Sequence, residues 1–156
     1  MSQKSLQLDN FLPYRLSIAS LLVSDVIASA YVRLFALTVP EWRLVAVLAE
    51  SPAITQQQIG LKTRMDKVTV SRAAMALTTR GLIIRAPNPD DGRSHLLSLS
   101  KEGHGLYKLV VPQALSLEKK LFGAIPAEDL QKFSTTLDQI MVAAVAMREV
   151  GGQELP

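Results

Sequence analysis

The amino-acid sequence predicts a mainly α-helical chain with a small β-hairpin set just past its middle. Apolar residues recur at three- and four-residue intervals over long stretches on both sides, the period of helices with a buried stripe. The stretch "NPDDGRSHLLSLS", Asn88 to Ser100, puts two strong turn formers, Asn88-Pro89 and Asp91-Gly92, between short apolar runs. Directly before that hairpin, a short helix, a tight turn and a longer helix follow one another.

Each element has its own signal. From Leu12 to Leu37, apolar residues at Leu16, Ala19, Leu22, Val23, Val26, Ile27, Ala30 and Leu34 predict one long helix. Pro40, with Glu41 beside it, opens a second helix that Ser51-Pro52 stops. Thr55 and Gln58 have capping-box spacing, so a third, short helix is expected from Gln56 to about Lys62. Asp66 then caps a fourth, "KVTVSRAAMALTTR", closed by Gly81. Two strands follow, roughly Leu82 to Arg85 and Leu96 to Ser100. The tail is helical again: Gly103 to Phe122, with a kink or break expected at Pro112, then Pro126 to about Val150. In that last helix Leu130, Phe133, Leu137, Ile140, Ala144 and Met147 form a coiled-coil-like seam, and beyond Gln139 the other faces turn apolar too. A helix apolar all round needs cover on more than one side, and in a chain this small a second copy is the expected cover.

Composition narrows the function. The 156 residues suffice for one domain with a sizeable core, or a small domain with added helices. With no cysteine there are no disulfides, thiolate catalysis or thiolate metal sites. The two histidines, His95 and His104, have no ligand spacing, so no metal is expected, and no cofactor motif is present. A nucleophile–base pattern, a phosphate loop and a convergent carboxylate pair are all missing, so the expectation is not an enzyme. The N-terminus does not read as a signal peptide, and the longest unbroken apolar run, Ile140 to Met147, is far short of a membrane span; a cytoplasmic protein with no membrane partner is expected.

Charge distribution points to a partner. The net charge is only +3, but Thr55–Lys101 holds eight cations against three carboxylates, while the rest of the chain is slightly acidic. Such a basic middle is the footprint of a nucleic-acid-binding module, or simply a solvated basic face. On a helical wheel Val70, Ala73, Ala74 and Leu77 of the fourth helix share a core face. Val68, Thr69, Ser71, Arg72 and Met75 fall broadly opposite. Short polar groups and one arginine in the N-terminal half of a helix suit a major groove. Arg72 is the candidate for a guanine edge, Lys67 for a phosphate, and Val68 for a thymine methyl. At the hairpin tip Arg93 can reach a minor groove, and Asp91, two residues earlier, is expected to pair with its guanidinium and fix its direction.

The run "DKVTVSRAAMALTTRGLIIRAPNPDDGRSHLLSLSKEG" resembles the core of the multiple-antibiotic-resistance regulator (MarR) family. The features are the T-x-S-R run at Thr69, Ser71 and Arg72, and the R-G-L-I exit from the helix. They continue with the D-x-R-S tip at Asp91, Arg93 and Ser94, and an L-x-L-S-x-x-G close ending at Gly103. The flanking helices match in number and order, although "IPAED" lacks the usual serine cap. The resemblance implies a winged helix-turn-helix over residues 38–101, flanked by dimerisation helices at 1–37 and 102–156. It further implies a homodimer on a pseudo-palindromic double-stranded DNA operator, with recognition helices roughly 34 Å apart. Repression relieved by a small aromatic acid or phenolic ligand is also implied. For such a ligand Arg15 offers a carboxylate partner, Ser17, Ser20 and Ser24 a polar stripe, and Trp42 a ring wall. The competing expectation is a winged helix used for protein contacts without sequence-specific DNA binding, which calls for apolar or acidic groups where Thr69, Ser71, Arg72 and Arg93 stand.

Overall fold

In a computed structural model of the chain, residues 6–151 are described. They divide into two compact units, 6–115 and 116–151.

In the first unit a single 3-10 turn, Leu8–Asn10, leads into α1, Leu12–Phe35. The helix ends on Ala36 in the left-handed region, φ 50°. The next helix, α2, spans Val39–Glu50. It starts one residue earlier than Pro40 suggested, because Thr38 and Glu41 form a reciprocal capping box: the Glu41 amide donates to Thr38 Oγ1 and the Thr38 amide to Glu41 Oε2. Helix α3 is Gln56–Thr63 and α4 is Lys67–Thr79, both near the expected bounds. The hairpin strands are β2, Ile83–Pro87, and β3, His95–Leu99, paired antiparallel with Ile83 opposite Leu99 and Pro87 opposite His95. A two-residue strand, β1 at Ile54–Thr55, adds to the free edge of β3 through Ile54–Leu97 and Thr55–Leu96, giving the sheet order β1-β3-β2. It is too short to leave a periodic signal in the sequence.

The core gathers where α2, α3, α4 and the sheet meet: Leu44, Val45, Ile59, Val70, Leu77 and Leu97 are essentially without exposed surface. The wheel assignment of Val70, Ala73, Ala74 and Leu77 to the buried face of α4 is borne out. So is the fold class, mainly helical with a small antiparallel hairpin.

Helix α5 runs unbroken over Lys101–Phe122, straight through Pro112, against the expected break. Pro112 is exposed, so the Lys108 carbonyl deprived of its usual amide partner lies on a face open to water, which lowers the cost of a proline in mid-helix. The first turn of α5 explains the L-S-x-x-G pattern. Ser100 Oγ donates to the Gly81 carbonyl (2.7 Å) and accepts from the Gly103 amide (3.0 Å), while the Ser100 amide donates to the Leu82 carbonyl. A Cβ on Gly103 would overlap the Leu82 carbonyl oxygen, so only glycine lets the helix start this close to the strand.

In the second unit α6 spans Ala127–Gly151, with an i,i+4 ion pair between Lys132 and Glu128 at 2.6 Å. Within this single chain its apolar seam stays open: Phe133, Ile140, Met141, Val142 and Met147 are all exposed. In the first unit α1 is similar, exposing Leu12, Leu16, Leu21, Leu22 and Val26. By length and composition α1 is apolar enough to cross a membrane. Polar residues interrupt the helix singly, so it holds no long unbroken apolar run.

Candidate nucleic-acid interface

The interface is built from three chain segments whose local caps fix them. Thr55 and Gln58 cap α3 reciprocally, the Thr55 amide donating to Gln58 Oε1 at 2.8 Å and the Gln58 amide to Thr55 Oγ1 at 3.2 Å. After α3, Arg64 takes a left-handed conformation, φ 59°, to make the tight turn. Gly60 allows that turn to close, since a Cβ there would meet the Met65 carbonyl oxygen at 3.2 Å. Asp66 caps α4 with both oxygens: Oδ1 accepts from the Thr69 amide (2.8 Å) and Oδ2 from the Thr69 hydroxyl (2.7 Å). These bonds favour the ionised carboxylate and hold Asp66 below the usual carboxylate range.

On the face of α4 opposite the core, Lys67, Val68 and Arg72 are exposed, with Val68 and Met75 presenting 57% and 66% of their surface. Thr69 and Ser71 are half-buried, and the Thr69 hydroxyl is committed to Asp66. The exposed set is therefore a lysine, an arginine and two apolar side chains, with the small polar residues recessed beside them.

The hairpin tip is held by its own polar groups. Asn88 Nδ2 donates to Ser94 Oγ (2.9 Å), Ser94 Oγ donates to the Asp91 carbonyl (3.3 Å), and the Asp90 amide donates to Asn88 Oδ1 (3.1 Å). Asp91 corrects one expectation. Its Oδ1 accepts from the backbone amide of Arg93 (3.0 Å), and among the described residues the Asp91 carboxylate makes no ion pair with the guanidinium. The carboxylate is engaged by the Arg93 amide in an Asx-type turn, so Asp91 shapes the backbone of the wing.

The start of α3, the start of α4 and the wing enclose an open groove of about 490 Å³. Lys67, Arg85, Arg93 and His95 line it, with Gln56 and Gln57 on the α3 side. Sequence reasoning brought Lys67 and Arg93 to this site and missed Arg85 and the two glutamines. Arg85 lies diagonally across the hairpin from His95, Nη2 to Nδ1 at 3.4 Å, and that pairing was readable only once the register was known.

The residues proposed for a small ligand do not converge in one chain. Arg15 and Ser20 are exposed and Ser24 half-buried along α1. Trp42 is stacked on Tyr107 (ring centroids 5.8 Å, 17° between planes) and meets Tyr31 edge-on (5.6 Å, 67°). Tyr31 lies sixteen residues beyond Arg15 on the same helix, roughly 24 Å along its axis.

A capped short helix, a tight turn, a second helix with exposed cations and an arginine-tipped hairpin define a winged helix-turn-helix protein. Residues 37–94 match the sequence model described as MarR family, and the fold is that of solved MarR-family structures. Over 113 residues it is 25% identical to the homoprotocatechuate degradative operon repressor of Escherichia coli, covering 72% of this chain and 76% of that protein. In structure it is similar to a MarR/EmrR family transcriptional regulator from Acinetobacter sp. ADP1, with a TM-score of 0.83 and 21% identity over 91% of this chain and all of the other. It is also similar to CouR from Rhodococcus jostii RHA1, solved bound to p-coumaroyl-CoA, with a TM-score of 0.76 and 22% identity over 87% and 95% of the two chains.

Proposed function

We propose that the chain is a cytoplasmic, homodimeric repressor that binds a pseudo-palindromic operator in double-stranded DNA. The observation that carries this is the convergence of Lys67, Arg85 and Arg93 on one groove beside the exposed face of α4. In this reading Val68 and Arg72 meet base edges, and Thr69 and Ser71 line the approach. Lys67 holds a phosphate and Arg93 enters the minor groove, while Asp91 and Ser94 keep the wing in shape. The exposed apolar faces of α1 and α6 support self-association. Arg15, Asp25 and Arg33 make α1 a poor candidate for lipid.

A small aromatic acid or phenolic compound is proposed to release the DNA, as the name of the Escherichia coli repressor and the CouR ligand suggest for the class of compound. Arg15, Ser20, Ser24 and Trp42 are its proposed contacts. Because Trp42 packs on Tyr31, roughly 24 Å along α1 from Arg15, this reading has Arg15 and Trp42 reach one ligand from two different chains.

The test is fluorescence anisotropy with the duplex upstream of the protein's own gene against a scrambled duplex of the same composition, at two salt concentrations. Tight, salt-sensitive binding that prefers the native sequence is expected. Equal weak binding to both duplexes, and to operators chosen from a random library, would favour the protein-contact reading instead.

A further inference from the structure

Helices α1 and α4 end against each other, and one side chain joins them. The end of α1 is fixed locally: the Ala36 amide donates to the Val32 carbonyl (3.0 Å), and the Leu37 amide donates to Tyr31 (3.3 Å) with Leu37 fully buried. The end of α4 is equally fixed, with the Arg80 amide on Ala76 (3.1 Å), Gly81 at φ 70° and the Leu82 amide on Leu77 (2.9 Å). Into this junction Arg80 sends its guanidinium. Nη1 donates to the Ala36 carbonyl at 2.8 Å and Nη2 to the Phe35 carbonyl at 3.1 Å.

These two carbonyls belong to the end of α1, where no further helical turn supplies amide partners. The guanidinium satisfies both, and its charge lies against the negative ends of two helix dipoles at once. Its planar fork also sets a direction as well as a distance, which a lysine ammonium does not. Lys67, Val68 and Arg72 stand within the first half of the same α4, on a rigid rod anchored at its far end by this clamp.

Resting on the reading of α4 as the base-contacting helix, we propose that Arg80 is a positioning residue. It ties the recognition helix to α1 and thereby sets operator discrimination without touching a base. A cation in a DNA-binding unit is ordinarily assigned to phosphate. Arg80 differs because both prongs of its fork are engaged within the fold.

The experiment selects an operator from a randomised duplex library with the wild-type full chain. It then compares Arg80→Gln, Arg80→Lys and wild type on that operator and on a scrambled duplex across a salt series, with thermal melts alongside. Arg80→Gln should lose about tenfold in affinity for the operator while binding to the scrambled duplex and the salt slope stay unchanged. Arg80→Lys should fall between, and the half-site spacings accepted by Arg80→Gln should broaden. An unchanged ratio of operator to scrambled binding would overturn the proposal and leave Arg80 as a simple helix cap. A salt slope lowered by about one would overturn it differently, by making Arg80 a phosphate contact. Should Arg80→Gln fail to fold, Arg80→Lys decides: a full wild-type ratio overturns the proposal, and a reduced ratio in a protein that melts like wild type supports it. A wild-type protein that enriches no sequence would remove the DNA reading itself, a failure visible before any variant is made.

Discussion

Asp66 receives two bonds from Thr69, and its lowered pKa has a consequence for stability. A carboxylate held below its unfolded value, about 3.9 for aspartate, stabilises the fold fully above that value. It loses the contribution as pH falls through the ordinary range toward the lowered folded value. Melting of the wild type should therefore drop between neutral and acid pH by more than that of Asp66→Asn, which keeps an acceptor but cannot titrate; parallel curves for the two would count against the cap. At the wing, Arg93→Ala should weaken binding to every duplex alike and lower the salt slope by about one, read from affinity against salt concentration. Arg72→Ala should instead relax one base position per half-site, at about 1–3 kcal/mol, measured on a panel of single-base operator variants. Arg72 and Arg93 were legible as candidates because each stands at a place where exposure is dictated locally, by the helix wheel or by a turn. The partner of Asp91 was not, since the choice between an amide and a guanidinium depends on turn geometry that residue identities leave open.

Among the elements, the helices were read nearly to their ends because caps announce themselves: Thr55 with Gln58 before α3, Asp66 before α4, Gly81 after it. Two elements resisted for physical reasons. β1 is defined only by its partner on β3, so nothing local marks Ile54–Thr55 as a strand. α5 survives Pro112 because that residue faces solvent, a property of the tertiary placement and not of proline itself. The junction of wing and α5 makes the sharpest prediction at this scale. Gly103→Ala forces the helix away from Leu82 and should destabilise the protein by about 1–3 kcal/mol in denaturant unfolding. An unaltered midpoint would mean that α5 can slide along the strand at no cost.

For the whole molecule, the exposed stripes on α1 and α6 are the property that a single chain leaves unfinished. If the proposed homodimer forms through these stripes, placing a charge on either, as in Leu22→Glu or Ile140→Glu, should shift the protein from dimer to monomer by light scattering and weaken operator binding with helicity retained; dimers of unchanged mass from both variants would move the contact elsewhere.

The stacking of Trp42 between Tyr31 and Tyr107 has a practical side. It is the sole tryptophan of the chain, and it reports from the meeting point of α1, α2 and α5. The protein thus carries a built-in fluorophore where these three helices touch. A compound that parts Trp42 from Tyr107 will change the colour or yield of its emission, so an effector library can be screened on the unlabelled protein, with no operator in the cuvette.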